Sequence, residues 1–278
     1  MNFKTLLYEV KDRKAYITLN RPEVLNAIDL DMPREIEEAV RFANSDSNVH
    51  VIVLSGNGKA FCSGYDLKAF AEAGLGTQKS VWDPMLDFQF MKQNTDQFSS
   101  LFKSLKPTIC KVHGFAVAGG SDIALCCDLV IVSKQAKIGY MPARVWGTPT
   151  TAMWALRVGL EKAKAMLFTG DVIDGQQAKD WGLVLDAVDD DLLNQKIEEL
   201  AERIAGVPIN QLIMQKLVLN QMAENLGINT MQSMATVFDG ISRHTPEGRW
   251  FQKYASENGF HEAVKWRDSG KWIPDESN

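Results

Sequence analysis

Two glycine-bearing loops hold the groups with the greatest chemical potential in this chain of 278 residues. The first is Phe61-Cys62-Ser63-Gly64-Tyr65-Asp66-Leu67. The second is His113-Gly114-Phe115-Ala116-Val117-Ala118-Gly119-Gly120-Ser121-Asp122. Each follows a run of strand-forming residues, Val49 to Leu54 and Thr108 to Val112, and the second opens a helix. Glycine tolerates the φ angles and close approach that let main-chain N–H groups from separate turns aim at one point. A helix N-terminus adds partial positive charge there. Such a pair suits an oxygen that gains negative charge, an enolate oxygen for example. Losing one donor from such a pair costs about 3 kcal/mol in the transition state. Strand-to-helix turns use glycine routinely too, so spacing alone leaves a purely structural role open.

The elements that must position these loops follow from periodicity. Residues 5 to 10 and 15 to 19 are short strand-like runs around an Asp12-Arg13 turn, and predict a hairpin. Asp31-Met32-Pro33 starts a helix, with Asp31 as N-cap and Pro33 in the first turn. Ile36, Ala39, Val40 and Ala43 form its buried stripe. Residues 70 to 84 lack a pattern and are expected to form a mobile or helical connection. Phe88 to Leu105 predicts an amphipathic helix, Phe115 to Gly120 a small-residue turn and Ser121 to Cys127 a short helix. Leu129 to Val132 and Ala136 to Gly139 predict strands. After Thr150 the pattern is nearly all helical. The expectation is an α/β core over residues 1–200 followed by a helical region over 201–278.

Composition narrows the field. Net charge is −5, which argues against a general nucleic-acid surface. Cys62, Cys110, Cys126 and Cys127 form no C-x-x-C pair, so they are expected as buried free thiols in a reducing, cytoplasmic setting. No run of about 18 apolar residues occurs, so no membrane span is expected. His50, His244 and His261 have no metal-ligand spacing, and no metal is expected.

Several strings carry a resemblance. Asn20-Arg21-Pro22 with Leu25-Asn26-Ala27, Lys59-Ala60-Phe61-Cys62-Ser63-Gly64 with Asp66-Leu67, and Ala118-Gly119-Gly120 with Cys127-Asp128 are similar to the signatures of the crotonase (enoyl-CoA hydratase/isomerase) family, in its order and spacing. Phe168-Thr169-Gly170 with Ala178 and Gly182-Leu183-Val184, and Asn258-Gly259-Phe260-His261-Glu262-Ala263 with Arg267, resemble later segments of that family. Together they cover about residues 3 to 272. The resemblance implies an α/β fold, a spiral of ββα units with C-terminal helices that build trimers, often paired as hexamers. It implies an acyl-CoA thioester as substrate and no separate cofactor, coenzyme A being part of the substrate. It places the two oxyanion donors at the N–H groups of Tyr65 and Gly119. Ala27, Ser63, Gly64, Asp66 and Leu67 would receive the adenine end of coenzyme A, while Lys68 is expected to be solvated.

Two departures from the family pattern bear on chemistry. Classical members place one glutamate three residues after the donor glycine and another after a proline on the next loop. Here the first position is Asp122, whose shorter stem retracts the carboxylate by about 1.5 Å. A catalytic Asp122 and an N-capping Asp122 are both open at this point. The second position, after Pro142, is Ala143, and no Asp or Glu occurs between Asp128 and Glu161. Tyr140, Arg144 and Trp146 are the polar candidates on that loop for contact with the acyl group. A single carboxylate at Asp122 suits a double-bond shift better than a two-carboxylate hydration. Three alternatives therefore stand beside a hydratase: an isomerase or other enolate chemistry, a non-catalytic acyl-CoA binder, and a Ser121–His113 hydrolase. The last is disfavoured because no G-x-S-x-G elbow frames either residue.

Overall fold

The computed structural model describes residues 3–73 and 81–275. The expected hairpin is β1 (Leu6–Lys11) and β2 (Lys14–Leu19), antiparallel in register Leu6 to Leu19. Its two-residue turn puts both Asp12 and Arg13 at positive φ, the geometry that matches the twist of the flanking strands. Then come α1 (Met32–Ser45), β3 (Val51–Gly56), α2 (Pro84–Lys103) and β4 (Thr108–Val112). They are followed by β5 (Phe115–Val117), α3 (Gly119–Leu125), β6 (Leu129–Ser133) and β7 (Lys137–Gly139). The second half holds α4 (Met153–Val158), α5 (Leu160–Thr169), β8 (Val172–Asp174), α6 (Gly175–Trp181) and β9 (Asp186–Val188). Helices α7 (Asp190–Ala205), α8 (Ile209–Asn225), α9 (Ile228–His244), α10 (Pro246–Asn258) and α11 (Phe260–Asp268) complete the chain.

The strands form two sheets. The larger runs β1-β2-β3-β4-β6-β9 and is parallel from β2 onward. The smaller runs β5-β7-β8. The continuous apolar run of β3 is explained by burial on both faces. Ile52 and Leu54 join the main core with Ile36 of α1 and Phe98 and Leu101 of α2. Val51 and Val53 face the other way, against Leu193, Ile197 and Ala201 of α7. Helix α7 spans residue 200, so the passage into the C-terminal helices falls at Gly206-Val207-Pro208.

Some local expectations need correction. The turn at Phe115 to Gly120 is half strand, because β5 pairs with β7. The nearly all-helical region after Thr150 also holds two short strands: β8 pairs with β7 and β9 with β6. Three-residue strands are too short to show a period, and only long-range pairing reveals them. The cap of α1 is supplied by Asp29, whose Oδ1 accepts from the N–H groups of Asp31 (3.1 Å) and Met32 (3.0 Å). Asp31 instead pairs with Lys4 and Arg34. Of the stretch 70–84, Lys68–Glu72 forms a turn of π-helix, and residues 74–80 lie outside the described residues. Helix α2 begins at Pro84, with Asp83 capping Met85 and Leu86. All four cysteines are free and buried.

Helices α8 and α9 leave a broad apolar surface uncovered, with Val218 75%, Leu219 72%, Met222 66% and Phe238 53% exposed. Beneath them, Lys216 is buried and donates to Asp128 Oδ2 (2.7 Å) and to the carbonyl of Lys106 (3.0 Å), tying α8 to the sheet. Among the described residues no helix is long and apolar enough to cross a membrane.

Candidate active site

The first loop is threaded between two partners. On one side Cys62 N–H donates to Phe115 O (2.8 Å) and Val117 N–H to Cys62 O (3.2 Å). On the other, Ile28 N–H donates to Gly64 O (2.8 Å) and Asp66 N–H to Ile28 O (3.0 Å). Tyr65 is thus the central residue of a parallel bridge to Ile28. In that pattern the flanking residues make the bonds, and the N–H of Tyr65 itself turns away from the bridge. Residues 25–28 are held in place by Asn26, fully buried and at positive φ. Its side chain accepts from Arg21 N–H (2.8 Å) and donates to the carbonyls of Asn57 (2.9 Å) and Ala60 (2.8 Å). This is the physical content of the Leu25-Asn26-Ala27 string.

The second loop turns sharply at Ala118, a non-glycine residue at φ 52°. Its N–H donates to Gly139 O (2.9 Å). Its carbonyl accepts from the N–H and the hydroxyl of Ser121, the latter at 2.6 Å. Gly119 therefore begins α3 with its N–H among the orphan donors of a helix start. The two loops touch. A Cβ on Gly64 would lie 2.7 Å from that of Ala118, and one on Gly119 would lie 3.0 Å from the Tyr65 ring. Neither the N–H of Tyr65 nor that of Gly119 is taken up by an acceptor among the described residues.

Both residues line one cleft, together with Ser63, Leu67, Asp122, Tyr140 and Trp146. Its empty space is about 1170 Å³, the solvent-open mouth included. Asp122 is 3% exposed, and Thr151 Oγ1 donates to its Oδ1 at 2.5 Å. Burial pushes its carboxyl up to about 7, assisted by the charge of Asp239 and opposed by the bonds from Thr151. The Tyr65 and Tyr140 phenols are likewise raised, by burial first and then by the charges of Asp122 and Asp239. Both stay neutral donors near neutral pH.

Residues 9–265 match the model of the family described as "Enoyl-CoA hydratase/isomerase". The chain belongs to the enoyl-CoA hydratase/isomerase family. A crystal structure of an enoyl-CoA hydratase from Mycobacterium smegmatis is similar at 50% identity and TM-score 0.91, covering 96% of this chain and 94% of that one. A probable enoyl-CoA hydratase of Rhizobium meliloti is 32% identical over 81% of this chain and 84% of its own length. The (E)-benzylidenesuccinyl-CoA hydratase of Thauera aromatica is 34% identical over 71% of this chain and 75% of its own. The crotonase fold expected from the sequence is thus observed in an enzyme family of lyases and isomerases.

Within this family member the remaining sequence-predicted residues are placed as follows. Ala27 is buried, and Gly64, Asp66 and Ala27 do not line the cleft. Asp66 faces Arg21 at 3.5 Å and accepts from Ala69 N–H (3.3 Å). Arg144 also stands outside it. Its guanidinium donates to the carbonyls of Arg267 (2.5 Å), Lys271 (3.0 Å) and Thr169 (3.3 Å), so it fastens the C-terminal segment to the loop. Trp146 does line the cleft, at φ 78°, against Phe251 with ring centroids 5.5 Å apart. Its indole N–H is buried without a hydrogen-bond partner among the described residues. A strained backbone and an unpaired donor at one residue fit a group held ready for a ligand. The hydrolase alternative loses its geometry here. Ser121 is turned onto Ala118 O, and His113 Nε2 is bonded to Gly58 O (2.9 Å).

The site also contains residues that the sequence reading missed. Asp239 and Arg243 of α9 and Asp87 of α2 all line the cleft. Asp239 is 4% exposed, accepts from Thr148 N–H at 2.9 Å, and pairs with Arg243 one helical turn on. Arg243 also binds Asp87 (2.5 Å), which accepts from the Trp82 indole at 3.0 Å. The only local signal was Asp239 and Arg243 at i, i+4 spacing, which is ordinary on any solvated helix.

Proposed function

We propose that this cleft binds an acyl-CoA thioester and stabilises its enolate. The N–H groups of Tyr65 and Gly119 hold the thioester oxygen, and Asp122 moves a proton at the α-carbon. The observation that supports this reading is that two residues with unpaired main-chain N–H groups, from separate loops, line the cleft that also holds Asp122, a buried carboxyl pushed up to about 7. Preorganised donors aimed at developing charge are the strongest single means of lowering such a barrier. A group titrating near the working pH is well matched to proton transfer. The nominal reaction is hydration of a 2-enoyl-CoA. Ala143, without a carboxylate on the loop after Pro142, favours a second reading, isomerisation of a 3-enoyl-CoA by Asp122 alone. Incubation with both thioester classes and analysis of products decides between them. A 3-hydroxyacyl product from the 2-enoyl substrate is expected. An enzyme that binds these thioesters but converts none would leave only an acyl-CoA-binding protein.

The loop Ser63 to Leu67, with Ala27 behind it, is the proposed receiver of the adenine end of coenzyme A. The uncovered apolar side chains of α8 and α9 are the proposed contact between copies in a trimer or a dimer of trimers. Contiguous exposed apolar surface of this kind marks association. Light scattering is expected to give a mass of three or six chains, and a monomer at micromolar concentration would remove this assignment.

A further inference from the structure

Adding water across the double bond needs one group to take a proton from the water and another to deliver one to the α-carbon. Asp122 supplies one of these. The loop position that could have carried the other is Ala143, inside the short 3₁₀ turn Met141–Arg144.

The structure assigns the second carboxylate to Asp239, on α9, with Arg243 as its positioning residue. This rests on the acyl-CoA reading and deepens it. Four observations carry it. Asp239 lines the same cleft as Asp122, although the two are 117 positions apart. It is anchored where a replacement must be: its Oδ1 accepts from Thr148 N–H, on the loop that begins at Pro142 and Ala143. A methyl placed on Gly147 would lie 3.5 Å from the Tyr140 hydroxyl and 3.6 Å from Asp239 Oδ1, so a neutral phenol and the carboxylate flank one spot beside the cleft. Finally, its Oδ2 pairs with Arg243, a residue kept rigid by a second pair to Asp87. Burial raises the Asp239 carboxyl, and the guanidinium held beside it opposes that shift, favouring the ionised, proton-accepting form.

The groups facing Asp239 are Arg243 on its own helix and Thr148 N–H from the loop. Asp87 of α2 stands behind Arg243, with His244 3.9 Å from that carboxylate. Asp122, Tyr65 and Tyr140 line the same cleft. The step balances. Asp239 takes a proton as the water oxygen bonds to the β-carbon. The π electrons move onto the thioester oxygen, held by Tyr65 and Gly119. The enolate then collapses and its α-carbon takes the proton of Asp122. The pair ends with the same number of protons, redistributed, and one proton passes back before the next turnover.

The test compares hydration with exchange of the α-proton of a saturated acyl-CoA in heavy water, which needs only Asp122 and the two amides. The substrate is the 2-enoyl-CoA that the wild-type enzyme hydrates fastest. Asp239→Asn is expected to lower hydration about a hundredfold or more while keeping exchange and acyl-CoA affinity. It is also expected to lose the acidic limb of the pH profile. Arg243→Lys keeps a cation and the fold, and is expected to move that limb to higher pH. Hydration by Asp239→Asn within about threefold of wild type, or an acidic limb that Arg243→Lys leaves in place, overturns the assignment. So does a wild-type enzyme that only isomerises, which leaves the acyl-CoA reading standing. Loss of exchange in Asp122→Asn tests that reading separately.

Discussion

Asp122→Asn is expected to remove turnover almost completely while making the folded protein more stable at alkaline pH. The catalytic half follows from position. Asp122 is a buried carboxyl in the same cleft as the two unpaired amides, and deleting a general acid or base costs about 10²- to 10⁴-fold. Acyl-CoA affinity should persist, because Asn keeps the shape and still accepts from Thr151 Oγ1. The stability half follows from linkage. Burial raises this carboxyl from 3.8 to about 7, so the folded state holds its proton where the unfolded chain has lost it. Between about pH 4 and 7 the folded state binds more protons, and stability falls as pH rises. Above about 7 the whole penalty of a buried charge is present, and Asn does not carry it. Melting curves of the two proteins should coincide near pH 4 and separate toward pH 8, the variant melting higher. Curves that coincide at pH 8 would mean that Asp122 ionises freely and is not the buried acid described here. In the wild type, a proton-donating Asp122 predicts hydration that declines as pH rises through about 7.

Gly64→Ala is expected to lower turnover about 10²- to 10³-fold without touching any acid or base. Gly64 sits at φ 91°, where a side chain is strained, and its Cβ would lie 2.7 Å from that of Ala118 and 3.1 Å from Val117 O. The two loops cannot keep their contact with an added methyl between them. Relief requires them to separate, and the donors of Tyr65 and Gly119 lose their common target. A misplacement near 1 Å can cost about a hundredfold, as can the loss of one such donor. The measurement is kcat on the preferred thioester, alongside circular dichroism to check folding. A folded Gly64→Ala enzyme with wild-type kcat would show that the amides do not hold the oxygen.

Much of the framework was legible because it is encoded locally. The β1–β2 turn, the apolar run of β3 and the Ile36-Ala39-Val40-Ala43 stripe each state their element and their buried face. The two glycine loops and Asp122 stood out through the family-like strings around them, and Tyr65, Gly119 and Asp122 line one cleft. What escaped is long-range. Strands β8 and β9 are three residues each and exist because β7 and β6 offer edges. Asp29 caps α1 because the chain bends at Leu30-Asp31, whereas proximity in sequence favoured Asp31. Arg144 was read with the cleft because it adjoins Ala143, yet its donors turn to carbonyls of the last helix and tail. Asp239 was invisible since nothing in residues 228 to 244 tells which face of α9 meets the loop of Thr148.

Helix α9 gives these observations a joint meaning. One side of a single turn presents Asp239 and Arg243 to the cleft, while Phe238 and Ile241 look outward, 53% and 42% exposed. A helix is too stiff for adjacent residues to move independently. The proposed contact between copies and the proposed carboxylate with its guanidinium thus lie on opposite sides of one rigid element.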